Sequence, residues 1–361
     1  MEKAFEAKML PVNNDYIDTD YFIDELIDAT SKLEVYKEKI LDSKLDSQVF
    51  LPTLQTKEAF ASSQLEGTRT TLDGVFKNQS SSNEDDVNIN EVLNYFSASS
   101  IGQRILERED FSNTFFCEIH NILMEGNVRK PELIGKYREE QNYVGKKYDT
   151  QDITFVPPKA EFVPVLMDNL ISYINNPSDR FRPLVRIAII HAQFETIHPF
   201  VDGNGRVGRM LIPLYLFSKK QIKLPYFFIS ESLEQDKLKY YTLLNNIRFN
   251  NDWNEWIKFF LNTVKKQCEK YISIITEINS LYEKHVDTMC QFTKNSNIIP
   301  IINMFYECPI NNAKNIAEET DIPSTTVNRL LNTMVEEKIL ITDGKKRNRN
   351  YIYHGLLDII R

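Results

Sequence analysis

Long apolar runs are missing from this sequence. No run in its 361 residues approaches the roughly 18 that a membrane span needs, and the start, MEKAFEAKML, has no long apolar stretch ending in a small-residue cleavage site. The expectation is a cytoplasmic protein without a membrane partner. Cysteine is scarce: Cys117, Cys268, Cys290 and Cys308 stand alone, without CxxC or His-rich spacing. That fits neither a disulfide framework nor a zinc site, so they read as reduced core thiols. Positive charge does not dominate, since 43 Lys and Arg stand against 51 Asp and Glu for a formal charge of -8. A general polyanion binder is excluded, and any nucleic-acid contact must come from a local patch. There is no GxxxxGK[ST], which rules out a P-loop, and no internal repeat. Glycine is sparse too, yet three of the 11 lie between residues 203 and 208.

The rest of the composition, 42% apolar and 26% charged, is that of an ordinary globular chain long enough for two or three domains. Apolar residues recur at three and four spacing in YFIDELIDATSKLEVYKEKI and LPTLQTKEAFASSQLEG, so both segments read as helices, with Gly67 as a stop for the second. The polar tract QSSSNEDDVN at 79–88 reads as an exposed loop and a soft boundary. Helical periodicity resumes in INEVLNYFSASSIGQRIL and FFCEIHNILMEG, then breaks at Gly135 into QNYVGKKYDTQDITFVPP, which reads as a β-hairpin. Two helices follow, and the second, PLVRIAIIHAQFETI, is apolar over most of its circumference and should be a central core helix. From about Asn297, three short helices and a hairpin stand in the order of a winged helix-turn-helix. The segment from Ser324 would be its recognition helix, with Thr325, Thr326 and Asn328 turned to bases. Lys345, Lys346, Arg347 and Arg349 would lie in the wing against phosphate. The alternative is a packing or oligomerisation module.

The most informative stretch runs from His198 to Arg209, HPFVDGNGRVGR. Glycines at a helix start let successive N–H groups converge, and the helix dipole adds positive charge there, so such a turn favours phosphate. Arg206 and Arg209 are one helical turn apart and can face the same anion. Asp202 supplies a hard oxygen ligand for Mg2+, and His198 the side chain whose ordinary pKa suits proton removal near neutrality. Gly203, Gly205 and Gly208 also match a dinucleotide fingerprint by pattern. The context fails it, because a core helix rather than a strand precedes them and no acid occurs between residues 209 and 230. A capped loop with structural arginine salt bridges is the plainer alternative.

These residues resemble the Fic motif, HPFx[DE]GNGRxxR, at every fixed position. The likeness extends to GKYREEQNYVG and FVPP, which look like the hairpin flap, and to flanking helices over roughly residues 110 to 265. The resemblance implies a protein adenylyltransferase that moves AMP from ATP to a Ser, Thr or Tyr hydroxyl of a protein. His198 would take the hydroxyl proton and Asp202 would hold Mg2+. Gly203, Asn204 and Gly205 would bind the β and γ phosphates, and Arg206 and Arg209 would complete the clamp. Phe200 would be a buried anchor, and Gly205 would favour nucleotide transfer over phosphorylation. Tyr143 and Val144 would belong to the flap that takes an extended target segment, against plain hairpin packing. Tyr240 and Tyr241 would border the adenine, against core packing.

Ser62-Ser63-Gln64-Leu65-Glu66-Gly67 is similar to the family's inhibitory motif, [ST]xxxE[GN]. Ser62 and Glu66 share a helix face, and Gly67 can end the helix so that the carboxylate projects toward Arg209. In some relatives the same glutamate helps remove AMP, so that second activity stays open here. His191 reads as a structural histidine, whereas His120, His285 and His354 have no evident partners. The expected fold is mainly α: a Fic helical core with one β-hairpin flap, an N-terminal helical block and a C-terminal winged helix-turn-helix. The expected bounds are 1–108 for the regulatory block, 109–270 for the core, and 271–361 for a linker helix and winged helix. DNA and a second copy of the chain are candidate partners. The alternative function is a transcriptional regulator that senses nucleotide with little turnover.

Overall fold

A computed structural model of the chain describes residues 3–81, 86–126, 131–145, 155–345 and 347–361. The described chain is mainly helical. Its N-terminal part carries α1 (Ile23–Leu41), α2 (Ser47–Leu65), α3 (Leu72–Ser81), α4 (Val87–Leu106) and α5 (Asn113–Leu123). The middle carries α6 (Val163–Asn175), α7 (Pro183–Ile197), α8 (Asn204–Ser218), α9 (Ser230–Gln235), α10 (Lys237–Asn250) and α11 (Trp253–Phe292). The C-terminal part carries α12 (Ile298–Glu307), β1 (Ile310–Asn312), α13 (Ala313–Thr320), α14 (Ser324–Glu336), β2 (Ile341–Thr342), β3 (Asn350–Ile352) and α15 (His354–Ile360).

Contacts group the chain into two compact units. One comprises Met1–Leu33, Ala61–Gly67 and Asn94–Gln267; the other comprises Glu34–Phe60, Thr68–Leu93 and Cys268–Arg361. The stretch 1–108 is thus shared between both units, and residue 270 falls inside α11. The polar tract at 79–88 is shorter as a loop than its composition suggests: α3 continues to Ser81, α4 begins at Val87, and residues 82–85 lie outside the described ones.

In the first unit, α7 is the central element. Its apolar circumference requires neighbours on every side, and it packs most extensively against α8 and α6. Pro183 opens it at the first helical position, where a missing N–H costs nothing. The α4 helix approaches α8 closely at Gly102, where an added Cβ would stand 2.9 Å from Leu214 Cδ1. Of the hairpin expected at about 141–156, the described residues contain one antiparallel bridge, Val144 with Phe155; residues 146–154 lie outside them.

In the second unit, β1, β3 and β2 form an antiparallel sheet in that order, with Ile352 of β3 opposite Ile310 on one side and Ile341 on the other. The chain order is helix, strand, helix, helix, strand, strand. Phe305, Leu330, Leu331, Met334 and Leu356 fill its core. The short strand β1 has no signature of its own, because Ile310, Asn311 and Asn312 become a strand only by pairing with β3 about forty residues later. Among the cysteines, Cys268 is buried, Cys117 and Cys308 are half-buried, and Cys290 is exposed, so the expectation of core thiols fails at Cys290. His285 Nδ1 lies 2.6 Å from the Tyr353 hydroxyl, a partner distant in sequence. No helix among the described residues is long and apolar enough to cross a membrane.

Replacing Gly102 with Val puts methyl groups where Leu214 already stands. A loss of about 1–3 kcal/mol is expected from such overpacking, read as a lowered midpoint in thermal denaturation.

Candidate active site

The site is a turn between two buried helices. After α7, His198 adopts a left-handed conformation (φ 50°, ψ 61°), and its N–H bonds the Phe194 carbonyl at 2.9 Å. Gly203 (φ 74°) is left-handed again and starts α8; an added Cβ there would come within 2.7 Å of Met124 Sδ. Between them the Asn204 side chain ties the turn shut. Its Oδ1 accepts from Phe200 N–H and its Nδ2 donates to the Phe200 carbonyl, both at 2.8 Å. The side chain of Asn204 is therefore spent on the loop, and what it can offer a phosphate is its backbone N–H. Phe200 is fully buried and stacks on His120, ring centroids 3.8 Å apart and planes 2° from parallel. His120 Nδ1 accepts from Gly135 N–H at 3.0 Å, so Nε2 carries the ring proton and donates to the Asp202 carbonyl at 3.1 Å. Burial lowers the pKa of His120 to about 4, which keeps the ring neutral.

The first intrahelical bond of α8 runs from Val207 N–H to the Gly203 carbonyl, 3.0 Å. The N–H groups of Asn204, Gly205 and Arg206 precede it and have no carbonyl of their own helix to bond. Such a helix start suits a phosphate. Asp202 is exposed beside it, one carboxylate oxygen held by Gly203 N–H at 2.6 Å. No cluster of three or more metal-ligating side chains occurs among the described residues. A single exposed carboxylate nevertheless fits Mg2+, which commonly takes one or two carboxylates and completes its shell with substrate phosphates and water.

Arg209 is 1% exposed, and its donors converge on the end of α2. Its Nε donates to Ser62 Oγ and its Nη2 to the Ser62 carbonyl, both at 2.9 Å, while Nη2 also reaches Glu66 Oε1 at 2.7 Å. The Glu66 side chain is 34% exposed. Burial works against its ionisation, but the charge and hydrogen bond of Arg209 outweigh that, with Arg206 adding to them, and its pKa is lowered. The α2 helix stops at Leu65, Gly67 turns left-handed (φ 96°), and Lys237 Nζ holds the Leu65 carbonyl at 2.6 Å. This end presses Glu66 onto Gly205, where an added Cβ would collide with Glu66 Oε1 and lie 2.8 Å from Arg209 Nη1. Arg206 is buried, with Nη2 3.4 Å from Met124 Sδ.

His198 is half-buried, and its Nδ1 lacks a hydrogen-bond partner among the described residues. Burial, reinforced by the charges of Arg248 and Arg138 and opposed by Glu66, lowers its pKa to about 4. The ring is neutral near pH 7 and can accept a proton. Arg138 brackets this turn from the hairpin side. Its Nε donates to the His198 carbonyl at 2.9 Å and its Nη2 to Ile197 at 3.3 Å and to the Pro158 carbonyl. Asn142 Nδ2 bonds the Phe200 carbonyl at 3.0 Å. Tyr143 is 54% exposed beside the Val144–Phe155 bridge.

The sequence candidates His198, Asp202, Gly203, Asn204, Gly205, Arg206 and Arg209 come together, and Ser62 and Glu66 meet Arg209. Tyr240 sits apart from the surface: it is buried, and its hydroxyl lies 2.9 Å from Nε2 of His191, itself a buried structural residue bonded to the Gly208 carbonyl. Of the tyrosine pair, Tyr241 reaches solvent. Sequence reading found no partner for His120 and passed over Arg138 and Glu195. The partners of His120 and Arg138 are loop carbonyls and a glycine N–H group, which carry no residue-type signal. Glu195 is the least expected: it is buried against Gly208, with Oε1 lacking a hydrogen-bond partner among the described residues. Burial raises its pKa to about 7 against the pull of Arg209.

Between the ordinary carboxyl range and about 7, the folded chain therefore holds a proton at Glu195 that the unfolded chain has lost, and stability falls as pH rises through that window. Glu195→Gln should flatten this decline, measured as urea midpoints at about pH 5 and about pH 8. Parallel slopes in mutant and wild type would remove Glu195 as its source.

Residues 110–216 match the Fic/DOC family model, and residues 23–104 match the Fic/DOC family N-terminal model. The chain is 33% identical over 111 residues to a protein adenylyltransferase fic-1 of Caenorhabditis briggsae, covering 30% of this chain and 20% of that protein. It is 27% identical over 219 residues to a protein adenylyltransferase Fic of Aedes aegypti, covering 60% and 40%. The chain thus spans less than half the length of these curated relatives. In fold it is similar to the crystal structure of a Fic family protein from Desulfovibrio desulfuricans G20, with a TM-score of 0.60 at 20% identity over 95% of this chain and 98% of that one.

Proposed function

Since the chain belongs to the Fic/DOC family, we propose that it transfers AMP from ATP to a Ser, Thr or Tyr hydroxyl of a protein and is restrained by its own Glu66. The observation that carries this reading is the convergence at the start of α8. The first N–H groups of the helix, which have no carbonyl of their own helix to bond, lie with Arg206 and Arg209 beside the neutral imidazole of His198. A hydroxyl is a weak nucleophile until a base takes its proton. His198 accepts that proton as the hydroxyl oxygen attacks the α phosphorus. The bond from that phosphorus to the bridging oxygen breaks, and pyrophosphate leaves with the added charge. Backbone N–H groups of Asn204 and Gly205, with Arg206 and, once Glu66 releases it, Arg209, stabilise the charge. Asp202 would hold Mg2+, which when bound neutralises phosphate charge.

The restraint follows from occupancy. Arg209 cannot give the same donors to a phosphate while Ser62 and Glu66 hold them, and the carboxylate over Gly205 repels an incoming phosphate. Removal of AMP from a modified protein remains a second activity open to the same residues. An extended target segment would reach the site along the bridge formed by Val144 and Phe155, near exposed Tyr143, through main-chain bonds.

Wild type, Glu66→Gly and Glu66→Gly/His198→Ala, incubated with Mg2+, α-labelled ATP and cell lysate, test both parts. Label in protein should rise about ten- to a hundredfold in Glu66→Gly, the range of a typical coupling energy, and vanish in the double variant. Equal labelling of wild type and Glu66→Gly would sink the restraint. No label from folded, ATP-binding protein would favour the nucleotide-sensing regulator.

A second reading concerns the C-terminal helices, proposed as a DNA-binding winged helix. Ser324, Thr325, Asn328 and Arg329 are exposed along α14, while Thr326 is half-buried. Lys345, Arg347 and Arg349 are exposed or half-exposed between β2 and β3; Lys346 lies outside the described residues. Weak binding to duplex DNA, falling steeply with salt, is expected by fluorescence anisotropy, with a shallower slope in Arg347→Ala/Arg349→Ala. Absence of binding at low salt would leave these helices as a packing module.

A further inference from the structure

The residue that joins the target-side bridge to the base lies outside the loop described above. Arg248, near the end of α10, places its guanidinium carbon 3.8 Å from the centroid of the Phe155 ring. From there it donates to the Glu195 carbonyl at 3.0 Å, the Thr196 hydroxyl at 3.2 Å and Asn245 Oδ1 at 2.9 Å. Glu195 and Thr196 belong to the last turn of α7, directly before His198. Phe155, in turn, exchanges both of its backbone hydrogen bonds with Val144, at 2.9 and 3.1 Å. One planar fork thus spans the turn that carries the base and the strand pair beside which a target would lie.

The Phe155 ring has a second support. Phe5 packs on it with centroids 5.6 Å apart, and Phe5 N–H donates to the Val156 carbonyl at 2.9 Å. Backbone groups of successive strand residues point to opposite sides, so Val156 faces away from Val144 and its outer edge is already taken by the N-terminal segment. That segment is itself held: Gln193 Nε2 donates to the Lys8 carbonyl at 2.8 Å, and Asn169 pairs with both the N–H and the carbonyl of Leu10, at 2.8 and 2.9 Å. By the same alternation, the backbone of Tyr143 points away from Phe155. Among the described residues Tyr143 makes no backbone–backbone hydrogen bond, and its side is the edge an incoming segment would take.

We propose that Arg248 is a positioning residue for the protein acceptor: it fixes the Val144–Phe155 pair relative to His198, with the N-terminal segment closing the far edge. None of its hydrogen-bond acceptors belongs to the Gly203–Arg209 stretch, so its loss should leave the affinity for nucleotide unchanged. Lysine is a poor substitute, because a single ammonium cannot hold three acceptors in a plane and cover an aromatic face at once. The consequence for transfer rests on the adenylyltransferase reading; the tie itself does not.

The test uses the full chain in the Glu66→Gly background, with Arg248→Met and Arg248→Lys. Amide hydrogen exchange at Val144 and Phe155 is measured beside label transfer into lysate protein and the affinity for Mg2+ with ATP. Arg248→Met should speed exchange of both amides by about two- to thirtyfold, the worth of the cation–π contact that ties Arg248 to the Phe155 ring. It should lower protein labelling by a similar factor at unchanged ATP affinity, and Arg248→Lys should recover only part of both. Phe155→Leu, which keeps the strand and removes the ring face, should reproduce the effect if Arg248→Met fails to fold. Unchanged exchange in the folded variants overturns the tie. Faster exchange with full labelling overturns the acceptor role. Absence of label in the Glu66→Gly parent counts against the transferase reading, while exchange still decides the tie.

Discussion

A guanidinium withdrawn from water must have an anion or carbonyl oxygens around it, and in this molecule that group is Arg209. Its desolvation costs several kcal/mol and is offset only if its donors are matched. Here the matching partners are the Ser62 hydroxyl and carbonyl and the Glu66 carboxylate. The end of α2 is consequently shaped around the arginine: the helix stops at Leu65, Gly67 turns left-handed, and Lys237 takes the last carbonyl. Remove the carboxylate and the arginine still requires an anion. A phosphate group is the natural replacement, which is the physical content of the proposed restraint.

Around that cation the loop is made stiff by buried polar side chains. Asn204 closes the turn on Phe200, His120 stacks beneath it and holds the Asp202 carbonyl, and Arg138 gathers the carbonyls at the end of α7. The histidines at positions 120, 191 and 198 share one property, a pKa of about 4 imposed first by burial. They differ in what is left open. His120 and His191 have both ring nitrogens engaged, whereas His198 has no such pair of partners. Burial thus leaves two histidines with both nitrogens engaged, while His198 keeps Nδ1 without a hydrogen-bond partner among the described residues, which is the feature that supports its proposed role as base.

Parts of this were legible along the chain. HPFVDGNGRVGR places a base, an oxygen ligand, N–H donors and two guanidinium groups on one helix start, because that chemistry depends on spacing within a single turn. Ser62 and Glu66 were legible through the likeness of SSQLEG to the family's inhibitory motif, and their spacing puts both on one helix face. The apolar circumference of residues 183–197 marked the central helix without any partner being known. Legibility ended where partners are distant. Nothing in Phe-Phe-Cys-Glu-Ile-His announces that His120 will carry the turn at Phe200, and Arg138, Glu195 and Arg248 bond backbone carbonyls or lie against glycine, which have no residue-type signature.

By itself, then, the sequence determined the chemical repertoire of the loop, the helical character of the chain and the pairing of a serine and a glutamate on one face. These depend on local periodicity, which folding does not change. Tertiary structure decided that Asn204 spends its side chain on the loop, that Tyr240 is a core residue rather than a surface one, and that β1 exists. Each of those outcomes depends on distances between segments that are far apart in the chain, and only packing sets such distances.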